Sequence, residues 1–114
     1  MRHVLIYGKQ PSYDKYKYKE DENMKISVIG SINMDQTVTA ERIPLKGETL
    51  HGDTLSYIPG GKGANQAVAM ARLGADVEMF GCVGDDSHGQ ALIDNLAEKG
   101  VKTGNIRKIA GVPT

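Results

Sequence analysis

Lys25-Ile26-Ser27-Val28-Ile29-Gly30-Ser31-Ile32-Asn33-Met34-Asp35 is the stretch on which the fold turns. Its first six residues are a short β-branched run closed by glycine, which predicts a strand. In open α/β sheets, ligands gather outside the carboxyl ends of the strands, where Ser31 to Asp35 would lie. Extended backbone points residues two apart the same way, so Asn33 and Asp35 would project together while Ile32 and Met34 turn to the core. A carboxylate beside an amide can accept and donate several hydrogen bonds at once, which suits neighbouring hydroxyls of a sugar. The same residues would also serve as an Asx-turn that only shapes the loop.

Working outward, Gln36 to Ala40 reads as extended, as do pieces near Glu48–Leu50 and Thr54–Ile58, with Pro44, Gly47, Gly52 and Pro59 as turns. Ala64 to Leu73 is an alanine-rich helix pattern that Gly74 ends. Val77 to Val83 reads as a buried strand. Asp85-Asp86-Ser87 supplies N-caps for a second helix, whose apolar stripe is Leu92, Ile93, Leu96 and Ala97, ending before Gly100. Strand, extended excursion, helix, strand, helix is the beginning of a doubly wound α/β sheet.

A second loop, Pro59-Gly60-Gly61-Lys62-Gly63-Ala64-Asn65, precedes the first helix. Its glycines let backbone approach a ligand closely, and the first amides of a helix lack internal partners. It could hold a phosphate or a polyol, or be a plain glycine turn. A Walker A loop needs glycine at position 56 and Ser or Thr at 63, where this chain has Ser56 and Gly63. The dinucleotide pattern needs a second glycine two residues from Gly30, where Val28 and Ile32 stand.

Composition narrows the classes. Fourteen basic and fourteen acidic side chains cancel, against a nucleic-acid partner or an anionic membrane. No apolar run approaches the roughly 20 residues of a membrane helix, and a single cysteine, Cys82, fits a reducing compartment. The cytoplasm is the expected location. Residues 1–23 hold four of the five tyrosines and a charged run without an apolar face, and are expected to be a disordered extension. Cys82, Met70 and Met79 read as core. His3, His51 and His88 lack metal-ligand spacing, and Arg42, Lys46 and Glu48 read as a solvated rim.

Gly60-Gly61-Lys62-Gly63-Ala64-Asn65-Gln66-Ala67, then Gly74 and Gly84, resemble the first signature of the PfkB carbohydrate kinases. Taken with Gly30-Ser31-Ile32-Asn33-Met34-Asp35, the chain is most similar to the ribokinase type within that family, over Lys25 to Thr114. The resemblance implies ATP-dependent phosphorylation of ribose to ribose 5-phosphate. Asn33, Asp35, Gly61, Lys62, Gly63 and Asn65 would be the substrate-binding residues. It implies a small β lid over about 37–58 that covers the sugar and can pair two copies as a homodimer. It also implies ATP, Mg2+ and a monovalent cation such as K+. The family's nucleotide site, metal site and catalytic aspartate lie beyond the matched part, so no catalytic, cofactor-binding or metal residue is assigned in this chain, and alone it is expected to be inactive. The alternatives are another PfkB kinase, fructokinase-like or acting on a nucleoside, and a non-catalytic sugar-binding or dimerising fragment. The chain reads as the N-terminal portion of such a domain over 24–114. Its last strand would then expose an open apolar edge, with molten or aggregating behaviour as the expected consequence.

Overall fold

The computed structural model describes residues 25–114; the extension expected over 1–23 lies outside them. Seven elements follow one another: β1 (Lys25–Ile29), β2 (Asn33–Thr39), β3 (Thr54–Gly60), α1 (Lys62–Arg72), β4 (Asp76–Gly84), α2 (Ser87–Glu98) and β5 (Lys102–Ile109). β1, β4 and β5 make a parallel sheet in the order β1-β4-β5, and β2 and β3 make a separate antiparallel hairpin. The expected α/β beginning, a parallel sheet with crossover helices and a separate small β unit, is therefore the observed architecture.

Two successive crossovers step the same way across the sheet. Because such crossovers are right-handed, both helices fall on one face. Val28, Val77, Met79 and Val83 are buried on that face with Ala64 and Ala67 of α1 and Leu92 and Leu96 of α2. Alternation leaves Ser27, Ile29 and Cys82 on the other face, exposed, with Ile29 at 84%. This corrects the reading of Cys82 as a core residue. An apolar run cannot distinguish the two faces of a strand, and the cysteine falls on the face that neither helix covers. Met79 is fully buried and Met70 packs against the core, as expected of both.

Three further readings change. Glu48–Leu50 is not a strand but part of the irregular loop between β2 and β3. Arg42 and Glu48 pair there, and the Arg42 guanidinium, then the Leu45 amide, hold the Glu48 carboxyl below its ordinary range. The hairpin strands also start earlier than Thr37 and end later than Ile58, because the pairing runs from Asn33↔Gly60 to Thr39↔Thr54. Finally β5 was not anticipated. Lys102-Thr103-Gly104-Asn105-Ile106-Arg107-Lys108-Ile109 carries glycine, asparagine and three basic residues, which hide a strand pattern. Most of its exposed side chains are polar, and Lys102 bridges to Asp76 of the neighbouring β4 at 2.7 Å.

Candidate functional site

The site grows from the carboxyl end of β1. There Gly30 packs directly on Gly63 in the first turn of α1. A Cβ on Gly63 would stand 2.8 Å from the Gly30 backbone and 3.0 Å from Met79 Cε. Only two glycines let strand and helix meet this closely. Ile32 and Met34 turn inward, Ile32 buried and Met34 packed against the core, while Asn33 and Asp35 are exposed on the other face of β2. The expected division of these four side chains is the observed one.

The hairpin then brings the two loops together. Asn33 pairs with Gly60, and the Asp35 carboxylate lies over Gly60 where any Cβ would overlap it. Gly61 has φ +100°, a conformation that disfavours other residues, and a Cβ there would come within 2.5 Å of the Ser31 carbonyl. Gly61 is half-buried, Gly63 is buried, and Lys62 and Asn65 are exposed on the opening turn of α1. Asn33, Asp35, Gly60 and Gly61 thus form one surface, with Lys62, Gly63 and Asn65 following directly along the chain.

Ser31 is the residue that sequence reasoning missed. Gly61 stands at the N-cap of α1 with no side chain to offer. Ser31 supplies the cap across the loop: its Oγ accepts from the Lys62 amide at 3.1 Å and its carbonyl accepts from the Ala64 amide at 3.1 Å. Two of the helix-start amides expected to face a ligand are therefore already satisfied, so binding there would rest more on side chains than on an amide nest. The signal was available as a serine two residues before Asn33, but its partner is 31 residues away.

A second organised point lies at the end of β4. Asp86 caps α2, accepting from the Gly89 amide at 2.7 Å, from the Thr114 hydroxyl at 2.8 Å and from the Thr114 amide at 2.8 Å. The Thr114 hydroxyl in turn accepts from the Gly84 amide at 2.7 Å. The Thr114 amide, followed by the Gly89 amide and the Thr114 hydroxyl, lowers the Asp86 carboxyl from 3.8 to about 2. Beside this cap His88 stacks on Tyr57 of β3. His51 is exposed. Among the described residues no three His, Cys, Asp or Glu side chains converge to hold a metal ion, and no helix is long and apolar enough to cross a membrane.

Comparison with known proteins places the fold in a family. The family model of the pfkB family carbohydrate kinases matches residues 23–114. The chain is similar to the ribokinase of Bacillus subtilis, 56% identical over 78 residues, which are 68% of this chain and 27% of that protein. It is 48% identical over 83 residues to the ribokinase of Lactococcus lactis, covering 72% of this chain and 28% of that one. Among solved structures, Arabidopsis thaliana ribokinase complexed with ribose and ATP superposes with a TM-score of 0.69 at 36% identity, over 81% of this chain and 30% of that one. The chain therefore spans less than a third of the length of these relatives.

Proposed function

This chain belongs to the pfkB carbohydrate kinase family, and from that membership we propose that it presents the sugar-holding part of a kinase that phosphorylates ribose to ribose 5-phosphate. One observation carries the reading: the pairing of Asn33 with Gly60 sets an exposed amide and carboxylate against the glycine loop, at the carboxyl end of a parallel strand. Asp35 would accept hydrogen bonds from two neighbouring hydroxyls, Asn33 would both donate and accept, and Lys62 and Asn65 would close the other side. Gly61 and Gly63, lacking side chains, let the loop pack directly on Ser31 and Gly30, which brings the first turn of α1 close to the end of β1.

The hairpin supports the rest of the reading. A lid over the sugar would exclude water, the competing phosphoryl acceptor. Val38, Leu55, Ile43 and Leu45 are exposed on this hairpin and its loop, which supports pairing of two lids in a homodimer. ATP with Mg2+, and a monovalent cation such as K+, belong to the same proposal. By the family resemblance, their ligands would come from the remaining length of such kinases. The cytoplasm is the proposed location.

Calorimetric titration with ribose, and with fructose in parallel, tests the reading. Saturable heat for ribose with weaker or no binding of fructose is expected. Fructose preference would move the proposal to a fructokinase, and no saturable binding of either sugar would overturn it.

A further inference from the structure

We propose that Tyr57 and His88 form an aromatic catch on the back of the lid, which holds the hairpin away from the sugar and must release for the lid to close. The proposal rests on the reading of the hairpin as a sugar-covering lid. The two rings stack with centroids 4.8 Å apart and planes 33° from parallel. Tyr57 lies on β3 and His88 in the first turn of α2, so the pair joins the hairpin to the body.

Register decides which way the catch pulls. Tyr57 pairs with Gln36, and Asp35 pairs with Ile58. Directly paired residues share a face, and neighbours along a strand do not. Tyr57 is therefore on the face of Met34, which packs against the core, and opposite the face of Asn33 and Asp35. Movement of the hairpin toward the Asn33 and Asp35 side carries Tyr57 away from His88. Ring attraction fades once centroids separate beyond about 7 Å.

The two ends of the contact differ in firmness. His88 sits two residues after Asp86, whose carboxylate is tied to the Gly89 amide and to Thr114. That end belongs to the body. Tyr57 is 47% exposed on a hairpin in which only Gly60 is buried. The hairpin joins the body through Gly30 to Ile32 and through Gly60 and Gly61, short connections that include a glycine at positive φ. Such a weakly packed unit is where closing motions are found. If only a fraction of molecules hold a closed lid, apparent affinity falls by that fraction, and loosening the catch restores it.

Amide hydrogen exchange across β2 and β3 in the sugar-free chain, together with ribose titration, tests the catch in Tyr57→Ala, His88→Ala, the double variant and His88→Phe. Each alanine variant should speed lid exchange about two- to tenfold, and the double variant should do no more than either single. His88→Phe, which keeps a stacking ring, should exchange like the parent. Ribose should bind the alanine variants about two- to tenfold more tightly, the same factor by which the closed fraction rises. Unchanged lid exchange, additive effects, or weaker ribose binding by the alanine variants would overturn the catch. A parent chain that binds no ribose would overturn the sugar reading and the coupling with it, while the exchange results still decide the catch.

Discussion

Along β4, Val77, Met79 and Val83 are buried under two helices, whereas along β2 and β3 only Gly60 is buried. The same residue types meet opposite fates: Val38 and Leu55 on the hairpin are more than half exposed, while Val77 in the body is fully covered. In the body, parallel strands and crossover helices close a core from one side. In the hairpin, the two strands pair with each other and touch the body mainly through Met34 and Tyr57. The difference teaches that stability lives in the body, and that the hairpin is free to carry polar chemistry on one face and apolar contact on the other.

The largest effect that could break this contrast comes from cavities. Met79→Ala, at the centre of the body, should cost about 2–5 kcal/mol in urea unfolding, whereas Leu55→Ala on the hairpin should stay within about 0.5 kcal/mol. A sigmoidal transition in the parent chain would also separate an ordered body from the molten behaviour expected of a partly covered sheet. Equal losses from both variants would mean that the hairpin is part of the core.

Next in size is Asp35→Ala. Its side chain is exposed, so unfolding should barely change, while ribose affinity should fall roughly 10- to 100-fold, the worth of charge-assisted hydrogen bonds. Loss of stability without loss of binding would make Asp35 a loop organiser, the Asx-turn alternative. Ser31→Ala should cost about 1 kcal/mol in the same unfolding assay, as lost helix caps do. It should also disturb the amide signals of Lys62 and Ala64 before others. The smallest effect is one of pH. Asp86 titrates at about 2 in the folded chain against an ordinary 3.8. The folded state therefore favours the charged form, and its contribution is present above pH 4 and lost as pH falls toward 2. Asp86→Asn should flatten that limb of the stability curve measured from pH 5 to 2.

Much of this was legible in residues 25–35 and 59–65. A β-branched run into glycine, then Asn33 and Asp35 two apart, encodes strand, exit and exposed pair in local terms. What was not legible is nonlocal. The face on which Cys82 lies depends on the handedness of two crossovers, and Ser31 caps a helix whose first residue is 31 positions away. β5 lacks the β-branched run that marked β1, because a strand at the edge of the described sheet can be polar. The Tyr57–His88 contact requires the hairpin register, which no spacing along the chain reveals.

The most direct test of the central claim is a ribose titration followed by amide chemical shifts across the 15N-labelled chain. Saturable shifts confined to residues 31–36 and 59–66 and to the hairpin are predicted, with the amides of β5 and the distal half of α2 unmoved. Shifts centred on β5 or on the exposed face of β1, or none that saturate, would contradict the assignment of this surface to the sugar.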